Sequence, residues 1–237
     1  LGPVVLQPGK PYYVFVKAKN GAGTWSPPYT QFFIAPPFRG DLKLARQFDD
    51  VTEVEADNVY VTAVFGDCAY VETPDRIAGI KVASTAGIHV GQKLGVLGIL
   101  QKPDMERVLT QASTIPAGSD PDVNLKPMAM PLKLLGGRDL DASNPGVTGG
   151  VGVYNIGLLV RVCGRVTHSQ PDFFYIDDGS ALADGSGWTG VRVTCEEFTA
   201  PKEGAFVTAT GISTILRINS ASARCVRLTT PPSVQPG

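Results

Sequence analysis

At 237 residues the chain has room for two small domains and an extension, and a net charge of −1 excludes a protein that holds nucleic acid mainly by neutralising phosphates. Charged residues are only 18% of the total while glycine (27) and proline (19) are abundant, and Val, Thr, Ile and Tyr recur in short alternating runs. That combination predicts an all-β protein rich in turns, and no apolar run is long enough to span a bilayer.

The first predicted element is a hairpin. Tyr12-Tyr13-Val14-Phe15-Val16-Lys17-Ala18-Lys19-Asn20 alternates, with Tyr13, Phe15 and Lys17 on one face and Tyr12, Val14, Val16 and Ala18 on the other. Gly21 to Pro28 turn the chain, and Thr30-Gln31-Phe32-Phe33-Ile34-Ala35 returns. Two strands bury too little surface to be stable alone in water, so other protein must cover them. Residues 1–35 resemble the last two strands of a fibronectin type III domain. The resemblance rests on the Leu6-Gln7-Pro8-Gly9 approach, the Tyr12-x-Val14-x-Val16-x-Ala18-x-Asn20 strand and the glycine-rich turn into Ser26-Pro27. Neither an initiating Met nor a signal peptide is present, so a longer precursor is expected. Its missing strands are one source of cover; strand addition from another subunit is the other. The side chains expected to form an assembly interface are Tyr13, Phe15, Trp25, Phe32 and Phe33.

Two copies of one five-strand unit follow. Val59 to Phe65, Tyr70-Val71-Glu72 and Gly79-Ile80-Lys81-Val82 correspond to Val160 to Val166, Tyr175-Ile176-Asp177 and Gly190-Val191-Arg192-Val193. Gly91 and Gly98 have the same seven-residue separation as Gly204 and Gly211, and each unit closes on a short strand, near Glu106–Leu109 and Arg224–Leu228. This order resembles the OB-fold, a small five-stranded barrel, in particular the OB-like modules of secreted bacterial surface proteins. Phe174-Tyr175-Ile176-Asp177-Asp178-Gly179-Ser180 with Gly190-Val191-Arg192-Val193 carries most of the likeness. It implies barrels over 41–115 and 156–230, with glycine where strands bend, and it leaves function open.

Residues 116–155 read as a long Gly/Pro-rich connection whose Met128, Met130, Leu132, Leu134 and Leu135 pack across the barrels, and 231–237 as a tail. Residues 1–40 form the hairpin extension.

No constellation for catalysis emerges. His89 and His168 lie in no nucleophile motif, and the adjacent carboxylates Asp49-Asp50, Asp177-Asp178 and Glu196-Glu197 point to opposite faces of extended chain. The acidic loop 177–187 departs from the EF-hand spacing and reads as a solvated turn, so neither metal nor cofactor is expected. Four cysteines match no C-x-x-C metal pattern; Cys195 and Cys225, on strands expected to be neighbours, are the best candidates for a disulfide. Phe173, Tyr175 and Trp188, with Arg192 beside them, are candidates for a ligand-binding platform. Seven Arg/Lys balance seven Asp/Glu across 156–230, which favours sugar or protein there over single-stranded nucleic acid. The expectation is a secreted or cell-surface structural protein, not an enzyme, that assembles with itself into a filament or surface layer. The alternative is a carbohydrate-binding module of a larger secreted enzyme.

Overall fold

The computed structural model describes residues 6–117 and 123–235; the first five residues, the last two and part of the expected connection lie outside that range. The protein is all-β, an N-terminal hairpin followed by two closed five-stranded barrels.

Strands β1 (Pro11–Val16) and β2 (Tyr29–Ile34) form a two-stranded antiparallel sheet of their own, with Tyr12 opposite Phe33 and Tyr13 opposite Phe32. The turn is held by Asn20, whose Oδ1 accepts the backbone N–H groups of Ala22 (3.1 Å) and Thr24 (2.9 Å). An amide side chain thereby replaces the backbone acceptor of a tighter turn.

The first barrel contains β3 (Phe38–Gly40), α1 (Leu42–Ala45), β4 (Glu53–Val64), β5 (Ala69–Glu72), β6 (Gly79–Val82), β7 (Lys93–Gln101) and β8 (Val108–Pro116). Its order is β4-β5-β6-β8-β7, and pairing of β4 with β7 closes it. The second barrel contains β9 (Met128–Ala129), a 3-10 turn at Leu132–Leu134, β10 (Leu159–Ser169), β11 (Phe173–Asp177), β12 (Val191–Thr194), β13 (Phe206–Ile218), β14 (Ala221–Leu228) and β15 (Ser233–Val234). It repeats the order as β10-β11-β12-β14-β13, closed by β10–β13. The copies agree in detail: among the five strands that close each barrel, β6–β8 and β12–β14 are the parallel pairs, and β4 and β10 carry a register shift at Val61/Ala63 and Val166/His168.

The repeated glycines have physical work in both copies. Gly91 (φ 89°) and Gly204 (φ 83°) occupy the left-handed region at the turn into β7 and β13. At Gly211 a Cβ would lie 2.2 Å from the Arg227 carbonyl oxygen, so the strand approaches its neighbour too closely for any side chain.

The repeat extends further back than the sequence reading placed it. Residues 128–135 are not connection: they are the leading strand and helical turn of the second barrel. There β9 runs parallel to β10 as β3 runs parallel to β4, and the 3-10 turn occupies the place of α1. Leu132 and Leu135 plug the second core as Leu42 and Ala45 plug the first. In α1 the first turn is capped by Asp41, whose Oδ1 accepts the Lys43 N–H at 2.8 Å; in the second unit Asp178 Oδ2 accepts the Leu132 N–H at 2.9 Å.

Residues 136–158 touch both barrels. Asn144 Nδ2 donates to the Arg46 carbonyl at 2.9 Å, while Val147 and Ile156 pack on Ile215 and Met105. A second apolar seam joins Ala63, Phe65, Cys68 and Tyr70 to Leu159 and Ile212. A polar clamp lies beside it: fully buried Glu72 accepts the Leu159 N–H through Oε1, and Arg76 donates to the Leu159 carbonyl at 2.7 Å. Arg76 Nε meets Glu72 Oε2 at 2.6 Å, so the buried carboxylate and the cation neutralise each other while they hold the start of β10.

Candidate functional site

The hairpin is the most exposed apolar part of the molecule. Tyr13, Phe15, Trp25 and Phe32 are 62%, 67%, 58% and 51% exposed, although Tyr13 and Phe32 contact each other at 5.3 Å between ring centroids. Phe33 differs from that group: it is half-buried and stacks on Tyr12 at 5.9 Å. Residues outside the expected interface are open too, since Val14, Val16 and Tyr29 expose the opposite face and Ile34 extends the first. Their signal was the second alternating set, Tyr12, Val14 and Val16, which is itself apolar. A hairpin at the surface of a finished sheet keeps one polar face; this one is apolar on both.

The expected platform residues do come together. Tyr175 and Phe173 lie 5.5 and 5.9 Å from Trp188, and the Arg192 guanidinium sits 3.7 Å over Phe173. His168, which carried no recognisable motif, joins them by stacking on Trp188 at 4.2 Å and 7°. The group is turned inward. Tyr175 is fully buried with its hydroxyl donating to Asp184 Oδ2 at 2.9 Å, Arg192 covers Phe173, and His168 covers a face of Trp188. A stacking ligand needs an open ring face; Trp188 is exposed with His168 over one face, and Phe173 is half-buried with Arg192 over it.

Cys195 and Cys225 are free thiols, a correction to the expected disulfide. Strands β12 and β14 are neighbours, but they run parallel in a register that sets Cys225 opposite Arg192. Cys195 therefore sits three residues further along, about 10 Å away at strand rise and beyond bridging distance. Burial pushes the Cys225 thiol up to about 12 and Cys68 up to about 11, so neither supplies thiolate at neutral pH. In the acidic loop the carboxylates serve the turn: Asp177 Oδ1 accepts from Ala181 N–H, Asp178 Oδ1 from Ser180 N–H, and Asp184 Oδ1 from Ser186 N–H. Among the described residues no three His, Cys, Asp or Glu side chains converge to hold a metal, and no helix is long and apolar enough to cross a membrane.

Sequence reasoning did not foresee a cleft of about 830 Å³ between the barrels. The first barrel contributes Asp67, Tyr70, Lys81 and Glu106; the second contributes Glu197, Thr214 and Arg227. Glu106 Oε2 accepts the hydroxyls of Tyr70 (2.9 Å) and Thr214 (3.1 Å), one from each barrel. Its other oxygen, Oε1, is buried without a partner. Burial pushes the Glu106 carboxyl up to about 7, against the pull of the Tyr70 hydrogen bond and of Lys81.

No protein-family model and no curated protein matches the chain.

The charges of the cleft are unevenly spent. Arg227 is committed to Asp67 and Glu196 at 3.1 Å each and lies 3.9 Å over the Phe65 ring; Lys81 leans to Asp67 at 4.0 Å. Asp104 is held by Arg217 at 3.0 Å. Among the described residues Glu106 and Glu197 make no ion pair, although Lys81 and Arg227 lie close enough to draw the Glu106 carboxyl down.

Proposed function

We propose that this chain is an extracellular structural or adhesive protein that assembles with copies of itself through its N-terminal hairpin, with the clamped pair of barrels as the repeating body. The observation that carries this reading is the apolar exposure of both hairpin faces. Burying a large apolar side chain contributes about 1.5–3 kcal/mol. The exposed set of Tyr13, Val14, Phe15, Val16, Trp25, Tyr29, Phe32 and Ile34 therefore offers enough to offset an association cost of about 4–15 kcal/mol.

The receiving surface in this reading is at the other end of the chain. Strand β15 is an outer strand of its sheet, with only β13 beside it among the described residues, and Phe206 and Val234 are exposed next to that edge. A hairpin added to β15 of the next copy is a head-to-tail contact, and such contacts propagate into a filament when the rotation does not close a ring. The turn-rich loops and modest Lys content suit a cell-surface setting. The fibronectin-like and OB-like resemblances belong to the same reading.

Negative-stain electron microscopy of the purified full chain tests it. Extended polymers that disappear in a Phe15→Ser/Phe32→Ser variant support the proposal; dispersed single particles for the unaltered chain contradict it.

A further inference from the structure

We propose that charge selects the contact between copies: the hairpin lysines Lys10, Lys17 and Lys19 dock on the carboxylate turn Glu196-Glu197 of the next copy, and ionic strength thereby sets how far assembly runs. The inference rests on the head-to-tail reading above and adds to it a docking surface and a means of regulation. The asymmetry belongs to the whole chain. All 22 acidic residues lie from Asp41 onward, so the hairpin segment 6–35 carries three lysines and no acid, a charge of +3. The remainder sets its 18 Lys/Arg against 22 Asp/Glu and carries −4.

On the hairpin, Lys10, Lys17 and Lys19 are exposed and make no ion pair among the described residues, although Lys19 lies 5.5 Å over the Trp25 ring. Lys17 continues the face of Tyr13 and Phe15, so a cation and open aromatic rings share one surface. A second hairpin of the same charge is repelled. Like-charge repulsion disfavours hairpin-to-hairpin pairing and leaves the anionic body as the partner, which is the head-to-tail arrangement.

Topology puts a matching surface beside β15. Strand β10 occupies one edge of β13 at Val207 and Thr208, so β15, which pairs with the same two residues, lies on the other edge, in line with β14. Strand β12 runs parallel to β14 and ends at Thr194, opposite Arg227. Past that end the flank of β15 has no strand on it among the described residues, and the turn leaving β12 carries Glu196 and Glu197 to that side. An open depression of about 590 Å³ starts there, with Pro171, Phe198 and Ala200 beside the two carboxylates. Glu196 shares Arg227 with Asp67, whereas Glu197 makes no ion pair among the described residues. Apolar surface bordered by carboxylates fits a hairpin of aromatic rings bordered by lysines. Exposed charges at such a rim act chiefly on encounter rate and salt dependence, so ionic strength becomes the control.

Sedimentation velocity of the full chain in about 50 mM and about 500 mM NaCl tests the contact. The expected result is association that weakens by about tenfold or more at the higher salt. Lys10→Gln/Lys17→Gln/Lys19→Gln should assemble weakly at low salt and lose most of the salt dependence. Glu197→Lys should weaken assembly as well. Glu53→Lys, an exposed position on the first barrel, changes the net charge equally and should leave assembly within about twofold of the unaltered chain. Three results overturn this docking while apolar assembly stands: equal assembly at both salts, a triple-lysine variant that assembles as tightly as the unaltered chain, or equal weakening by Glu197→Lys and Glu53→Lys. An unaltered chain that stays single at both salts overturns the self-assembly reading, and this inference with it.

Discussion

Gly79 and Gly157 meet backbone to backbone where the two barrels join. A Cβ on Gly79 would lie 2.3 Å from the Gly157 carbonyl oxygen, and one on Gly157 would lie 2.8 Å from the Gly79 carbonyl carbon. The first starts β6 and the second precedes β10, so each barrel presents bare backbone to the other. Gly157 also has φ 88°, which disfavours a side chain on its own account.

Gly79→Ala is therefore expected to wedge the barrels apart and to destabilise the chain by roughly 2–3 kcal/mol, with Gly157→Ala worse because it adds backbone strain. Urea denaturation of the two variants checks the order. Equal midpoints for both variants and the unaltered chain would show that the barrels do not touch there.

Glu72 and Arg76 hold the start of β10 close by. Glu72→Ala leaves the Arg76 guanidinium buried without its counter-charge and the Leu159 N–H without its acceptor. Breaking a buried pair from one side costs about 3–5 kcal/mol. Equilibrium unfolding should show that loss, and protection of the Leu159 amide from hydrogen exchange should fall with it. An exposed pair would give less than about 1 kcal/mol.

Glu106 makes stability depend on pH with a defined sign. Its folded value, about 7, lies above the 4.5 of an ordinary Glu, so the native state binds more protons than the unfolded state between those values. The contribution is complete below about pH 4.5, declines as pH rises through 7, and is flat beyond; its span is at most about 3 kcal/mol. Urea midpoints at pH 5, 6, 7 and 8 should fall more steeply for the unaltered chain than for Glu106→Gln. Parallel curves would contradict the buried position of this carboxyl.

Much of this architecture is legible in the residues, and the rest is hidden for identifiable reasons. Alternating runs and the matched spacings of Gly91/Gly98 and Gly204/Gly211 announce both barrels because each glycine answers a local need, a left-handed turn or a strand in close approach. The leading strand of the second unit went unread because its surroundings resemble a linker. The signal was present as a repeated Leu-Lys-Leu, Leu42-Lys43-Leu44 and Leu132-Lys133-Leu134. Cys195 and Cys225 were expected on neighbouring strands, and β12 and β14 are neighbours, but Cys195 lies just past the end of β12, and register between parallel strands leaves no mark in local composition. The cleft was invisible because it joins Glu106 to Thr214, 108 positions apart, through contact between two separate barrels.

The head-to-tail reading makes a prediction by complementation. A hairpin-blocked variant (Phe15→Ser/Phe32→Ser) retains its β15 edge, and an edge-blocked variant (Val234→Lys) retains its hairpin. Each should be monomeric alone, and an equimolar mixture should stop at dimers. If the mixture polymerises, or if the edge-blocked variant still assembles alone, β15 is not the receiving strand.

Multi-angle light scattering of the full chain across a hundredfold range of concentration tests self-assembly most directly. The account predicts a mass that climbs with concentration well beyond the 25.0 kDa of one copy and falls back to it when Phe15 and Phe32 become serine. A constant 25.0 kDa at every concentration, with the hairpin intact, would contradict it.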